Sequence, residues 1–158
     1  RSAQVQALCK AQGVPVLLHG LPGRNDTVRL GLSALLAQHP ELTGCMFLPG
    51  DQPLLRRATV DQLLTAFAQT QKETERVIFR LGAPAGNGPD PLVGSPVLFS
   101  NGFFPELLTL PEGKGGSVLL HKYPTLVHTA CIAQPEELAD TDTPAALAQL
   151  EALVREKG

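Results

Sequence analysis

The sequence predicts an α/β fold with a mostly parallel sheet covered by helices on both faces. Three observations predict it. Short continuous apolar runs recur, such as Val14-Pro15-Val16-Leu17-Leu18 and Cys45-Met46-Phe47-Leu48, the form of strands buried on both faces. Between them lie longer segments whose apolar residues fall at the i, i+3, i+4, i+7 spacing of a helix. The two kinds alternate along the chain, which is the pattern of strand–helix–strand units.

Residues 2–12 carry helical spacing through Val5, Leu8 and Cys9 and stop at Gly13. Residues 14–18 form the first expected strand, and His19-Gly20-Leu21-Pro22-Gly23 is a loop by its glycines and proline. Asp26 or Thr27 can cap the next helix, where Val28, Leu32, Leu35 and Leu36 share a face. Residues 44–48 are the second strand, and Val60, Leu63, Leu64 and Phe67 mark the helix after Pro53. Residues 76–81 and 97–99 are expected strands, and the Gly- and Pro-rich segment 82–94 between them reads as an irregular, functional or mobile loop. Helices are expected at 103–110 and from Gly115-Gly116-Ser117 through Leu120, and a fifth strand at 126–132. Thr143-Pro144 starts a last helix, Thr as cap and Pro in the first turn, with Leu147, Leu150 and Val154 facing inward.

A chain of 158 residues with 43% hydrophobic and 18% charged residues is an ordinary globule of one domain. Its net charge of −2 argues against a general nucleic-acid binder, and the scarcity of aromatics against a single-strand stacking platform. Cys9, Cys45 and Cys131 have no C-x-x-C spacing, which fits reduced thiols in a cytoplasmic protein, with Cys45 and Cys131 in the core. No apolar run is long enough for a membrane span and no signal peptide is seen.

The chemistry centres on Gly50-Asp51-Gln52-Pro53. An aspartate released at the carboxyl end of a buried strand stands where open α/β sheets place their ligands. Its hard oxygen suits Mg²⁺ beside substrate phosphates, although Gly-Asp-Gln-Pro is also ordinary turn chemistry. Asp142, one residue before the Thr143 cap, is a second carboxylate at a helix start, favoured there by the dipole with or without a metal. The helix start around Arg24 and Thr27 suits an anion or the edge of a base. His19, His39, His121 and His128 have no metal spacing. Arg56-Arg57 could face phosphate but, at a helix start, read as solvated, and Glu136-Glu137 reads as a solvated pair.

Five elements occur in order: G-R-x-x-T-V-x-x-G-L (residues 23–32), L-P-G-D-Q-P-L-L (48–55), G-S-P-V-L-F (94–99), G-G-S-V-L-L (115–120) and D-T-D-T-P (140–144). In this order they resemble the MobA-like NTP transferases, the molybdenum-cofactor nucleotidyltransferases, and are most similar to the cytidylyltransferase type that serves molybdenum hydroxylases. The resemblance implies a three-layer Rossmann-like nucleotidyltransferase fold and a Mg²⁺-dependent enzyme that moves CMP (or GMP) from CTP (or GTP) to the phosphate of a molybdopterin-type cofactor. Asp51 and Asp142 are then the metal-binding, catalytic pair. Arg24, Asn25, Thr27, Gly50, Gln52 and Pro53 are nucleotide-binding, Thr27 standing where the family has a Ser. Gly94, Ser95, Pro96, Gly115, Gly116 and Ser117 are acceptor-binding.

The sequence departs from the family at four places. The L-A-A-G-x-S-x-R-M-G loop, which offers backbone N–H groups to a triphosphate, is not among these residues. The chain, starting on Arg1, is therefore expected to be the carboxyl-terminal part of a longer nucleotidyltransferase domain, with an exposed sheet edge and little activity alone. Val93-Gly94-Ser95-Pro96 replaces R-G-H-P, Ser117 replaces an Arg, and Ala145-Ala146 replaces an acidic pair. Two other readings stand beside this one. One is a cytidylyltransferase for another phosphorylated acceptor, since residues 24–32 also resemble the methylerythritol-phosphate cytidylyltransferases. The other is a non-catalytic nucleotide-binding or interaction module.

Overall fold

A computed structural model describes residues 2–84 and 91–157. The chain divides into two compact units, one of residues 1–42 and 104–122, the other of residues 43–103 and 123–158.

The second unit carries the sheet. Its strands are β1 (Gly44–Phe47), β2 (Ile78–Ala83), β3 (Leu92–Ser100) and β4 (Val127–Cys131). They lie in the order β1-β3-β2-β4. β2 pairs with β4 in parallel, and β3 runs antiparallel to both of its neighbours. Three of the four described strands therefore share one direction, and the single reversed strand separates β1 from β2. The helix α3 (Arg57–Thr70) lays Leu63 and Phe67 on this sheet. Together with Val77, Phe79, Leu81, Ala83, Leu98 and Ile132 they form the core. Close packing is visible at two glycines. A Cβ on Gly44 would meet the Phe67 ring at 2.7 Å, and one on Gly82 would meet Thr129 Cγ2 at 2.4 Å. The helix α6 (Pro144–Lys157) starts as expected, the Ala146 N–H donating to Thr143 Oγ1 at 3.1 Å. Of its expected inward face only Leu150 is buried; Leu147 and Val154 are exposed beside a groove shared with Pro53 and Leu54.

The first unit is helical. It holds α1 (Ala3–Ala11), α2 (Arg24–Gln38), α4 (Phe104–Leu108) and α5 (Ser117–Lys122), and α2 packs against α4. Leu32, Phe104, Leu107, Leu110 and Leu119 are its buried residues. Ser2 caps α1, whose residues are all at least partly exposed, and Gly13 follows at a φ of +67°.

Several expectations change. Residues 14–18 do not form a strand, and Val14, Val16, Leu17 and Leu18 are all exposed. A strand needs a ladder of a partner's donors and acceptors; the Val14 N–H turns back to the Cys9 carbonyl at 2.8 Å, and Val16, Leu17 and Leu18 have no backbone hydrogen bond among the described residues. The loop expected at 82–94 is shorter, because Gly82 and Ala83 belong to β2 and residues 92–94 to β3; residues 85–90 lie outside the described residues. Cys131 is exposed near the end of edge strand β4, whereas Cys45 is buried as expected, and burial pushes its thiol up. His128 stacks on Phe79 with ring centroids 5.0 Å apart.

Candidate active site

The carboxyl ends of β1, β2 and β4 lie at one edge of the sheet, together with the first residues of β3. This edge is where α/β sheets hold ligands. Asp51 occupies the turn that follows β1 and is half-buried. Its backbone carbonyl accepts two hydrogen bonds from Thr141, from the N–H at 3.0 Å and from Oγ1 at 3.1 Å. Asp142 is the next residue and is exposed. The segment leading into α6 is thus seated on the Asp51 turn across ninety positions of sequence. Gln52 adds a third bond, Nε2 donating to the Leu138 carbonyl at 3.3 Å, while its Oε1 is buried without a donor among the described residues.

Gly94, Ser95 and Pro96 stand at the same edge. The β2–β3 register passes from Arg80↔Val97 to Leu81↔Gly94, leaving Ser95 and Pro96 without partners on β2. Pro has no N–H to give a central strand, so a bulge is the form in which such a strand accommodates it. Pro96 is fully buried, and a Cβ on Gly94 would lie 3.5 Å from Leu138. Gly50 and Pro53 are exposed on either side of Asp51 and Gln52.

Sequence reasoning missed Glu137. Expected at a solvated surface, it is 1% exposed. Its carboxylate accepts from the Arg56 N–H at 3.2 Å, from Arg56 Nε at 2.9 Å, and from Arg56 Nη2 and Thr59 Oγ1. Burial by itself raises the Glu137 carboxyl, but the bonds from Arg56 and Thr59 outweigh it and hold the group below the usual glutamate value. The same contact holds the Arg56 guanidinium above its ordinary value. Arg57, by contrast, is solvated as expected. A signal was present in the sequence. α3 begins on two arginines with no side-chain cap and no acid in its first turn, so its N-terminal donors need an anion from elsewhere.

In the helical unit the cap of α2 is Gly23, not Asp26 or Thr27. Asp26 sits in the first turn, accepts from the Gly23 N–H at 3.3 Å and pairs with Arg29 at 3.0 Å. Arg24 is exposed at the first helical position. Asn25 Oδ1 accepts from the Gly113 N–H at 3.0 Å, and a Cβ on Gly115 would lie 4.0 Å from Arg24 Cβ. The α2 start and the loop holding Gly115, Gly116 and Ser117 are therefore neighbours. Thr27 Oγ1 lies 3.1 Å from His19 Nε2, a contact the sequence did not suggest. Ser117 opens α5, and its carbonyl is 2.9 Å from His121 Nδ1.

No three His, Cys, Asp or Glu side chains gather anywhere among the described residues. Asp51 and Asp142, on neighbouring segments, suit an ion that takes one or two carboxylates and fills its remaining positions with phosphate and water oxygens, as Mg²⁺ does. The Asp51 carboxylate has no hydrogen-bond or ion-pair partner among the described residues and is available for that role.

A mixed α/β sheet covered by helices, with the turns and loops of one edge gathered beyond its strand ends, is the architecture of the ligand-binding α/β domains. The chain is a member of the MobA-like NTP transferase domain family, whose profile matches residues 1–130. It is thus a nucleotidyltransferase domain acting on a nucleoside triphosphate. Among the solved structures that share the fold are three of the Rv0371c type. Rv0371c from Mycobacterium tuberculosis H37Rv is 25% identical, with a TM-score of 0.74 over 94% of this chain and 70% of that one. The Rv0371c complex with manganese, from the same organism, is 24% identical, with a TM-score of 0.69 over 94% and 72%. The Rv0371c homolog from Mycobacterium sp. strain JC1 is 20% identical, with a TM-score of 0.65 over 96% and 73%. No curated protein gives a significant sequence match. Asp142 lies beyond the residues matched by the family profile.

Proposed function

We propose that this chain acts as one nucleotidyltransferase domain that moves CMP from CTP, or GMP from GTP, to the terminal phosphate of a molybdopterin-type cofactor. An acceptor phosphate oxygen forms a bond to the α-phosphorus, the bond from that phosphorus to the bridging β-phosphate oxygen breaks, and pyrophosphate leaves. The observation that carries the reading is the double hydrogen bond from Thr141 to the Asp51 carbonyl, which brings the segment bearing Asp142 to the turn bearing Asp51. These two residues would hold a divalent ion, Mg²⁺ in our reading; the manganese complex of Rv0371c supports a divalent ion of this kind. When bound, the ion neutralises charge on the triphosphate.

The other residues bind and orient. Arg24 offers a charged fork to phosphate or base, and the Asn25 and Thr27 side chains are fixed by Gly113 and His19. Gly50 and Pro53 shape the turn, and Gln52 ties it to the Leu138 carbonyl. Gly94, Ser95 and Pro96, with Gly115, Gly116 and Ser117, are assigned to the acceptor. None of those six residues carries a cation, and this favours, as a second reading, a phosphorylated acceptor less anionic than the cofactor. Our reading places the domain in the cytoplasm, supplying a molybdenum hydroxylase.

Labelled CTP and GTP offered with the molybdenum cofactor and with simpler phosphorylated acceptors separate these readings by which product carries label. Asp51→Ala is expected to lower transfer and Mn²⁺–nucleotide binding by about 100-fold or more, the scale of losing one electrostatic group at a transition state, with an unchanged melting profile. Undiminished transfer and metal uptake in that variant would remove Asp51 from the site.

A further inference from the structure

We propose that Glu137 is a positioning residue for the transfer site: with Arg56 and Thr59 it pins the segment bearing Asp142 against the turn bearing Asp51. The inference rests on the reading that Asp51 and Asp142 hold the ion, and it adds a residue that touches neither substrate nor metal.

The geometry is a seam between two stretches of chain. One stretch runs from the Asp51 turn into the first turn of α3; the other runs from a 3-10 turn at Pro135–Leu138 to the start of α6. At one end of the seam the Glu137 carboxylate takes four donors, three from Arg56 and one from Thr59. At the other end Thr141 holds the Asp51 carbonyl, and Gln52 holds the Leu138 carbonyl between them. The Thr141 and Gln52 bonds join half-buried groups that water can replace. Glu137 is the buried member, and both of its oxygens are held: Oε1 takes two guanidinium N–H groups of Arg56, and Oε2 takes the Arg56 backbone N–H and the Thr59 hydroxyl, which together set distance and orientation. It also stands in for the missing cap of α3, so moving it shifts the helix start and the turn before it together. Residues that orient metal-binding carboxylates in this indirect way typically change metal affinity by about 10- to 100-fold when altered.

Glu137→Gln tests this. The variant keeps an oxygen for the Arg56 guanidinium but turns an amide toward the Arg56 N–H, which is itself a donor. Two readouts are taken on the same samples: Mn²⁺ uptake with CTP, followed by the electron paramagnetic resonance signal of free Mn²⁺, and NMR-detected amide exchange. Wild type, Asp51→Ala and the surface control Glu151→Gln accompany it. We expect half-saturating Mn²⁺ to rise about 10-fold or more in Glu137→Gln, the Thr141 amide to exchange faster, and the β2–β3 amides and the control to stay as wild type. A Glu137→Gln protein that takes up Mn²⁺ and protects Thr141 like wild type, while Asp51→Ala is impaired, overturns the inference alone. Equal loosening of Thr141 and the β2–β3 amides also overturns it, since the role would then be general stability. If Asp51→Ala takes up Mn²⁺ like wild type, the metal reading fails. The metal part of the inference fails with it, and Thr141 exchange then decides whether Glu137 pins the seam at all.

Discussion

A carboxylate at 1% exposure survives in ionised form only because four donors reach it, and Glu137 meets that condition. Its folded-state value lies below the unfolded one. Its contribution to stability is therefore fully present above the unfolded glutamate value of about 4.3 and is lost as pH falls through the folded value. We expect wild type to lose more stability than Glu137→Gln between about pH 6 and pH 3, measured as the shift in urea midpoint at each pH. Equal slopes would show that the group is not ionised in the fold. The Arg56 side chain is half exposed, so solvent weakens its share of this effect. At this scale the chain was unevenly legible. The place of Asp51, in a turn after β1, could be read because a short apolar run followed by Gly-Asp is a local pattern. Glu137 could not, because its partners lie about eighty positions away and nothing in Pro-Glu-Glu-Leu distinguishes a buried acid from a solvated one. His19 and Thr27 were both visible, but not the contact between them.

Elements were predicted well where a periodic apolar face is finally covered. α3 is such an element, burying Leu63 and Phe67, and β1 and β2 follow their apolar runs; α2 and α6 form where expected but leave Leu35, Leu147 and Val154 of their expected faces exposed. Prediction failed where pairing decides. Residues 14–18 have the composition of a strand and no ladder, whereas β3 starts earlier than its apolar run because β2 offers partners from Ala83 onward. The sheet also sets side-chain size. Gly44 opens β1 directly beneath the Phe67 ring, and a methyl group there must displace a buried aromatic. We expect Gly44→Ala to cost about 1–3 kcal/mol by overpacking, read from denaturant unfolding. Trimming the opposing ring, in Phe67→Leu, should relieve part of that penalty in a double-mutant cycle.

Over the whole chain, stability should follow burial. The amides of β2 and β3, the two central strands, which supply Phe79, Leu81, Ala83 and Leu98 to the core, should exchange only by global opening. The amides of Val16, Leu17 and Leu18 have no hydrogen bond among the described residues and should be protected by less than about 10-fold; strong protection there would mean that those residues are paired in solution. The sequence by itself determined the α/β class, the order of most elements and the Asp51 turn, because periodicity, capping and turn chemistry act within a few residues of chain. Only the tertiary structure decided that β3 is reversed between β1 and β2, that Ser95 and Pro96 form a bulge beside the Asp51 turn, and that Thr141 and Glu137 close on segments eighty to ninety residues earlier. Those contacts are chosen by which donors and acceptors meet once the sheet is packed, and no short window of sequence contains both partners.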